Sequence, residues 1–358
     1  MIAFDFFCGG GGVSKGLENA GIDVIAGFDV VEEYRQTYDA NHNSRFMCED
    51  VRDVTCKRLK EIYPNLLRNR KSLLLAGCAP CQPFSNQRRC NYEHEDRTLL
   101  DAFGRIVDEV KPGYVFLENV PGIVTKGGEV YERFIDMLRR NHYYYWAGVV
   151  NAKDYGVPQN RKRFILIASL FNDREGEMHA PRTTHGEGDG LIPYVTVRDA
   201  IGAYPPILAG ETHPTVPNHH AASMAEITLQ RIRNTPEGGD RRNWPRELWL
   251  DCHSGEYTGH MDVYGRMRWD QVAPTLTARC TSISNGRFGH PEQNRALSQR
   301  EAAKLQSFED DYIFYGTHVS ISRQIGNAVP VLLAERIGEY IMKLNKKAKG
   351  RKNPRHRK

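Results

Sequence analysis

The chain has no stretch of apolar residues long enough to cross a membrane. Its 358 residues are 40% hydrophobic and 26% charged, and no uncharged apolar run approaches the ~20 residues that a membrane helix requires. The N-terminal residues Met1–Asp5 also lack the basic region of a secretory signal peptide. These absences lead us to expect a cytoplasmic protein with no membrane partner.

Paired cysteines and metal-binding spacings are scarce as well. The chain has eight cysteines, but only Cys78 and Cys81 stand in a Cys-x-x-Cys spacing, and no His-x-x-x-His pair completes a zinc site. The neighbouring His219 and His220 do not have metal-site spacing either. We therefore expect no metal centre, and cysteines that remain reduced.

A cysteine-containing loop is the central feature of the sequence. The apolar run Leu73–Gly77 predicts a buried strand that ends in a proline-containing loop. Pro80 and Pro83 flank Cys81 and restrict the backbone around it. A cysteine at the carboxyl end of a parallel strand lies where open α/β sheets place their reacting groups. Cys81 is therefore a candidate nucleophile; a redox pair with Cys78, half of a zinc site and two buried thiols are the alternatives.

The N-terminal region shows strands and glycines in an order typical of a nucleotide-like ligand site. The apolar strand Phe4–Phe7 runs into Cys8–Gly12 and then into a helix. A second strand, Ile22–Phe28, is followed by Asp29, whose carboxylate can accept the hydroxyls of a ribose. A third candidate strand ends near Asp50, an acid that could meet an adenine amino group. This pattern predicts an adenosine-type cofactor and leaves NAD and S-adenosylmethionine open.

Further charged residues stand next to predicted strands. Glu118 follows the strand Tyr114–Leu117, so it shares the sheet edge that carries the cysteine and the first acid. Arg161 and Arg163 precede the strand Phe164–Ala168, and alternation places both on the same side. Several polar or reactive groups on one edge of one sheet indicate a site.

Six motifs, taken in chain order, resemble those of the bacterial-type DNA cytosine-5 methyltransferases. The match covers most of the chain, and six motifs in the family's order are far more specific than any one of them. Ala79, Asp29 and Glu309 depart from the family pattern, but none of these departures removes a reacting group. The motifs are Asp5–Gly12, Pro80–Gln82, Glu118–Val120, Gln159–Arg163, Arg300–Phe308 and Gln324–Pro330.

The resemblance implies a doubly wound, Rossmann-like α/β sheet that binds S-adenosylmethionine, with a second, smaller and irregular target-recognition domain. It implies an enzyme that methylates C5 of a flipped-out cytosine in a specific double-stranded DNA sequence and releases S-adenosylhomocysteine. Cys81 would add to C6 of the base and form a covalent intermediate. The implied setting is a monomer in a bacterial cytoplasm, either in a restriction-modification system beside an endonuclease for the same site or as an orphan methylase.

The same resemblance implies roles for individual residues. Cys81 would be the nucleophile, Glu118 would act on N3 of the base, Arg163 would hold its O2 side, and Arg161 would brace the loop. The implied cofactor-binding residues are Phe7, Gly9, Gly11, Asp29, Asp50, Val51, Pro80, Asn327 and Val329. The expected DNA-binding residues are Gln82, Ser85, Arg88, Arg89, Arg97, Arg266 and Arg279, with residues 86–97 as a closing lid.

Composition predicts how the chain is divided. Lysine is absent from Phe171 to Ala296, where glycine, proline and histidine are dense. Arginines there are compatible with readout of guanine edges. Acids outnumber them, however, and the alternative is that most of these arginines are structural or contact phosphates. We expect a catalytic domain at residues 1–175, a target-recognition domain at 176–296, a return segment at 297–345 and a basic, disordered tail at 346–358.

Three other functions remain open at this level. A transfer-RNA methyltransferase would use the same chemistry, but the Cys-Phe-Thr motif usual in those relatives does not occur. A nucleotide-binding oxidoreductase would use Cys78 and Cys81 as a redox pair. A binding protein that has lost catalysis would not need Cys81, Glu118 and Arg163 together.

Overall fold

The computed structural model describes residues 1–79, 98–171, 178–251 and 262–350. Seven strands form one sheet: β1 (Ile2–Phe6), β2 (Asp23–Asp29), β3 (Arg45–Cys48), β4 (Leu73–Gly77), β5 (Tyr114–Asn119), β6 (Tyr144–Asn151) and β7 (Lys162–Ser169). The helices of these ranges are α1 (Gly12–Asn19), α2 (Arg35–Asn41), α3 (Cys56–Ile62), α4 (Leu66–Asn69), α5 (Thr98–Val110), α6 (Ile123–Lys126), α7 (Gly128–Arg140), α8 (Val197–Ile201), α9 (Glu226–Arg233), α10 (Gln299–Leu305), α11 (His318–Asn327) and α12 (Val331–Gly350). None of these helices is both long and apolar enough to span a membrane.

The strand order of the sheet is β3-β2-β1-β4-β5-β7-β6. The first five strands in that order are parallel, whereas β7 runs antiparallel to both β5 and β6. The chain builds outwards from β1 to β3 and then crosses back to β4, so strand order reverses between β1 and β4. Open α/β sheets bind ligands at the carboxyl ends of strands beside such a reversal. The predicted doubly wound, Rossmann-like sheet is thus confirmed.

The sheet is covered on both faces, which explains why its central strands read as continuous apolar runs. Every residue of β4 and β5 is buried. Phe6 and Phe28 stack with ring centroids 4.9 Å apart, and Phe103 of α5 lies 5.6 Å from Phe6. The polar residues Glu118 and Asn119 stand at the carboxyl end of β5, where the sequence predicts site residues.

The chain divides into two compact units. The first comprises Met1–Asn151, Lys162–Thr183 and Val331–Lys358 and contains the whole sheet. The second comprises Ala152–Arg161 and Thr184–Pro330, and its regular structure in the described ranges is limited to α8, α9, α10, α11 and single-turn 3₁₀ helices.

These units divide the chain at other residues than the composition does. Residues 297–330, which composition assigns to the return segment, pack within the second unit, where Ser298 Oγ lies 2.8 Å from His219 Nδ1 and Arg300 donates to the carbonyl of Pro217. Helix α12 continues to Gly350, through the first residues of the predicted tail. Lysines near a helix C-terminus interact favourably with its dipole, so basic composition does not stop the helix. The rest of the predicted tail, 351–358, lies outside the described residues.

Candidate active site

The loop between β1 and α1, which we call the cofactor loop (Phe7–Gly11), has an unusual backbone. Phe7, Gly9 and Gly11 adopt left-handed conformations, with φ of 63°, 53° and 88°. Glycine accepts this region without strain. A Cβ atom added to Gly9 would meet no heavy atom within 4 Å, so the backbone here faces open space. The loop therefore allows a ligand to approach the main chain closely.

Asp29, at the end of β2, fixes this loop. Its Oδ2 accepts a hydrogen bond from the Gly9 amide at 2.9 Å, and its Oδ1 accepts one from the Val31 amide at 3.0 Å. Burial raises the pKa of the Asp29 carboxyl, while these backbone amides act in the opposite direction. A carboxylate has about four acceptor positions, so Asp29 can still accept a hydrogen bond from a ribose hydroxyl. Loop and acid together fit an adenosine-containing cofactor.

Asp50 and Val51 lie just beyond β3, in a segment that α5 holds. The Asp50 carboxylate accepts hydrogen bonds from Arg52 N at 2.8 Å and from its Nε at 3.0 Å, and this arginine lowers the pKa of Asp50. Val51 is buried. Arg105 of α5 donates to the carbonyls of Arg52 and Val54, at 3.1 and 2.9 Å. Contact of Asp50 or Val51 with an adenine stays a prediction.

The remaining predicted cofactor residues lie elsewhere. Asn327 ends α11 and is exposed, and Val329 follows it and is buried; both belong to the second unit. Pro80 lies outside the described residues. Their part in cofactor binding stays a prediction.

Glu118 and Arg163 form an ion pair at the carboxyl end of β5. Arg163 Nε lies 2.8 Å from Glu118 Oε1, and the two side chains are only 12% and 10% exposed. They meet because β7 is antiparallel to β5: Phe164 pairs with Asn119, so the first residues of β7 lie beside the last residues of β5. Two of the four predicted catalytic side chains are thus in direct contact.

Asn119, to which the sequence assigned no role, holds the start of the cysteine loop. Its Nδ2 donates to the carbonyl of Ala79 at 3.1 Å, while its Oδ1 accepts from the Val120 amide at 2.8 Å. Ala79 is the last described residue before segment 80–97. The sequence feature that could have indicated a role for Asn119 is its place in the motif that begins with Glu118. Besides Pro80, the predicted site residues that lie outside the described ranges are Cys81, Gln82, Ser85, Arg88, Arg89 and Arg97, and the predicted lid at 86–97 lies there too.

Cys78 lies in a setting that favours the thiol. Burial raises its pKa well above the ordinary value, and the nearby Glu118 and Asp5 carboxyls act in the same direction. A thiol that stays protonated attacks disulfides poorly, so this placement does not favour the redox-pair alternative. Within the described ranges, no group of three or more His, Cys, Asp or Glu side chains is arranged to hold a metal ion.

Arg161 is buried in the second unit rather than aligned with Arg163 on a strand. It precedes β7, is 2% exposed, and donates to the carbonyls of Leu276, Gly326 and Ala328 at 2.6, 3.0 and 3.1 Å. These bonds join the segment around Leu276 to the end of α11. The side chain is therefore placed to position backbone.

Of the two second-unit arginines expected to bind DNA, Arg266 is committed to other partners. All five of its N–H groups are used, because Nε, Nη1 and Nη2 donate to the carbonyls or side chains of Thr235, His290, Gln293, Ile232 and Asn294. Burial lowers the pKa of its guanidinium to about 10. No donor is left for a base, so the expectation of a DNA contact is corrected to a structural role. Arg279 is exposed, and its expected DNA contact stays a prediction.

Comparison with known proteins agrees with this geometry. The family model of the C-5 cytosine-specific DNA methylases matches residues 1–343. The Type II methylase M.HgiDII of Herpetosiphon aurantiacus is 39% identical, over 94% of each chain, and the Type II methyltransferase M1.HphI of Haemophilus parahaemolyticus is 33% identical, over 95% of this chain and 86% of its own. The crystal structure of an E. coli prophage-encoded DNA modification methyltransferase superposes with a TM-score of 0.75 at 23% identity and covers 97% of this chain and 99% of its own.

A match of this length, on a sheet with the required strand order, confirms the resemblance read from the motifs. The chain belongs to the C-5 cytosine-specific DNA methylases and is a DNA (cytosine-5)-methyltransferase.

Proposed function

We propose that the protein transfers a methyl group from S-adenosylmethionine to C5 of a flipped-out cytosine within a specific double-stranded DNA sequence, through a covalent bond between Cys81 and C6. Bacterial Type II methylases among its relatives support a role in a restriction-modification system, beside an endonuclease for the same site, or as an orphan methylase.

The observation that carries the proposal is the Glu118–Arg163 pair, next to the chain that leads to Cys81. The Arg163 Nε to Glu118 Oε1 distance is 2.8 Å, and the neighbouring Asn119 holds the carbonyl of Ala79. Acid, guanidinium and the entrance to the cysteine loop thus share one end of β4, β5 and β7. Methylation of cytosine at C5 needs a nucleophile at C6, an acid at N3 and a hydrogen-bond donor at O2.

The cofactor loop and Asp29 would hold the cofactor, which supplies an electrophilic methyl group when it is bound. The open backbone at Gly9 lets the ligand approach, and Asp29 has acceptor positions left for ribose hydroxyls. The product, S-adenosylhomocysteine, which lacks the sulfonium charge, would occupy the same place.

The protein's own residues would make C5 of the base reactive. The Cys81 thiolate adds to C6, and Glu118 delivers a proton to N3 as electrons move into the ring. Arg163 orients Glu118 and donates to O2 of the base. After C5 has taken the methyl group, the C5 proton leaves to a base or water, Cys81 leaves C6 as the thiolate, and the N3 proton returns to Glu118, which restores the aromatic ring.

DNA recognition would belong to the second unit and to the loop after Cys81. A cytosine inside a duplex cannot reach a thiol, so it must leave the helix first. Exposed Arg279, and the predicted contacts Gln82, Ser85, Arg88, Arg89 and Arg97, would bind the DNA around it.

A duplex with 5-fluorocytosine at the target position tests the proposal. Fluorine cannot leave C5 as a proton would, so the reaction stops with the enzyme bonded to DNA. Denaturing electrophoresis should show an adduct only with the wild-type thiol, S-adenosylmethionine and the fluorinated duplex together, and peptide mapping should place it on Cys81. The target sequence is first found by bisulfite sequencing of plasmid DNA from cells that express the protein.

Two controls make the result decisive. Cys78→Ala should still form the adduct, because that thiol is not the nucleophile. A transfer RNA substrate tests the nearest alternative acceptor. No adduct on a duplex that is independently shown to be methylated would overturn the covalent mechanism.

A further inference from the structure

A buried chain of hydroxyl and carboxyl groups lies in the first unit, next to the cofactor loop. Asp5 Oδ2 is 2.7 Å from Ser14 Oγ, Ser14 Oγ is 2.9 Å from Tyr38 Oη, and Tyr38 Oη is 2.9 Å from Ser44 Oγ. All four residues are buried. None of them has a part in the reaction steps proposed above.

This chain connects the two ends of the cofactor loop to the elements around it. Asp5 is in β1, two residues before the loop, and Ser14 is in the first turn of α1, which follows the loop. Tyr38 is in α2, and Ser44 immediately precedes β3. Gly27 of β2 makes room for the tyrosine, because a Cβ at that position would lie 2.6 Å from Tyr38 Oη. These hydrogen bonds therefore hold β1 and α1, the two elements that flank the cofactor loop, in fixed positions.

Burial favours the neutral acid form of Asp5, while the Ser14 hydroxyl and backbone amide act in the opposite direction on its pKa. Its Oδ1 is buried and has no hydrogen-bond partner among the residues that the structure describes. An unpartnered oxygen costs far more free energy on a carboxylate than on an uncharged carboxylic acid. The titratable groups that act on it across the surrounding elements are themselves acidic or thiol and phenol groups: Asp29, Glu18, which is paired with His42, Cys8, Cys78 and Tyr38.

Asp29 provides the contrast. The backbone amides of Gly9, Val30 and Val31 act on its carboxylate, whereas in the part of the chain that the structure describes Asp5 is hydrogen-bonded by Ser14. Burial raises the pKa of Asp5 to about 7. Two nearby carboxyls in such different environments take different protonation states.

The protonation state of Asp5 also determines which group donates and which accepts in each of these hydrogen bonds. Each hydroxyl has one proton to donate. With the proton on Oδ2, Asp5 donates to Ser14, Ser14 to Tyr38, and Tyr38 to Ser44. Loss of the proton reverses all three bonds and leaves a charged oxygen without a partner.

We propose that Asp5 is a positioning residue that works as the neutral acid, and that loss of its proton loosens the cofactor loop and weakens cofactor binding. The inference rests on the proposed function, because it concerns the same cofactor site. Asp5 acts through Ser14 and the loop, not by contact with the ligand.

The test is the pH dependence of S-adenosylhomocysteine binding, measured by calorimetry from about pH 6 to about pH 8.5. This probe lacks the sulfonium charge, so direct attraction to a charged Asp5 is avoided. Wild-type affinity should fall as pH rises through about 7, by up to about tenfold per pH unit. Asp5→Asn should show a flat profile, because its amide donates to Ser14 at every pH. Asp23→Asn, at an exposed position of β2, should follow the wild type.

Proton uptake gives a second readout that needs no variant. Above about pH 7, binding to the wild type should take up about one proton, measured as the dependence of the heat on buffer ionisation. An unchanged pH slope in Asp5→Asn, weakened binding of that variant at all pH values, or absence of proton uptake would each overturn the role of Asp5.

Failure of the proposed function would look different. In that case S-adenosylhomocysteine would not bind at any pH. Urea unfolding would then decide whether Asp5 is the neutral acid. The free energy of unfolding of the wild type should fall as the pH rises from about 4 to about 7, whereas that of Asp5→Asn should not. Parallel curves would overturn the inference.

Discussion

The two units bury different kinds of side chain. In the first unit, the interior is mostly apolar, with residues such as Phe6, Leu75 and Phe116, and buried polar groups such as Asp5 and Glu118 are the exception. The second unit buries guanidinium groups instead. The buried arginines of the described ranges, all of them in this unit, are Arg161, Arg231, Arg241, Arg266, Arg295 and Arg300.

The difference follows from what each backbone leaves unpaired. Strand carbonyls in the sheet find amide partners on neighbouring strands, but the loops of the second unit have no such ladder. Arginine supplies the missing donors: Arg300 bonds the carbonyls of Pro217, Glu309 and Tyr312 at 2.8, 3.0 and 2.7 Å. Lysine offers a point charge and no rigid fork. The structural role that composition left open thus accounts for several arginines of the lysine-free region.

The acids show the same contrast. Burial raises the pKa of Asp5 in the first unit to about 7, whereas Arg242 lowers the pKa of Asp240 in the second unit to about 2. One environment removes water from a carboxyl and offers no cation, and the other surrounds it with guanidinium groups.

The largest expected effect is that of removing the proposed nucleophile, Cys81, which belongs to the first unit. Cys81→Ala should lower methyl transfer by about 10⁴-fold or more, because a covalent nucleophile is lost. Cofactor binding should be nearly unchanged. Tritium transfer from labelled S-adenosylmethionine measures the rate and calorimetry measures the binding. Cys78→Ala is the matched control and should keep substantial activity; equal loss in both folded variants would favour paired thiols.

Next in size is the acid of the ion pair. Glu118→Gln should slow single-turnover methylation by ~10²–10⁴-fold, since the amide cannot protonate N3 as Cys81 adds. Formation of the 5-fluorocytosine adduct should slow in parallel. DNA affinity, measured by fluorescence anisotropy, should change little. A variant with normal turnover would rule out Glu118 as the acid.

The third prediction tests whether buried arginines hold the second unit together. Arg295 Nη2 lies 2.7 Å from Glu301 Oε1, and both side chains are at most 1% exposed. Arg295→Met leaves this carboxylate without its main partner and should cost about 3–5 kcal/mol in urea unfolding. Arg233→Met is the matched control and should cost little, because the side chains of Arg233 and its partner Glu226 are 52% and 63% exposed. Equal losses in the two variants would contradict the contrast between buried and surface arginines.

Exchange of the second unit should move the sequence specificity. We expect a chimera that takes residues 184–330 from a relative to methylate that relative's site. Exchange of 176–296 alone should also move it, but with lower stability, because it separates Arg295 from Glu301. Bisulfite sequencing and urea unfolding measure the two outcomes. An active chimera with unchanged specificity would refute the assignment of recognition to this region.

The smallest effect concerns Asp240. Its folded pKa of about 2 lies below the ordinary 3.8, so its stabilising contribution is present above about pH 4 and is lost as pH falls through about 2. Unfolding curves of wild type and Asp240→Asn should therefore differ at neutral pH and converge in acid. A difference that is independent of pH would show that charge plays no part.

The sequence alone was sufficient to predict the family, the fold class and the strand ends that carry Asp29 and Glu118. These depend on local patterns: an apolar run predicts a buried strand, and a polar residue after it predicts the edge where ligands bind. The pattern did not predict β6, whose residues are mostly half-buried. It also aligned Arg161 with Arg163, although Arg161 precedes β7.

Only the tertiary structure decided which charged groups reach one another. Arg163 meets Glu118 because β7 runs antiparallel to β5, and neither segment encodes that direction by itself. Arg266 and Asp5 are both buried, because residues that are far apart in the sequence pack around each of them. Burial and the supply of unpaired carbonyls are properties of the packed chain, and they determine whether an arginine binds backbone or DNA and whether a carboxyl keeps its proton.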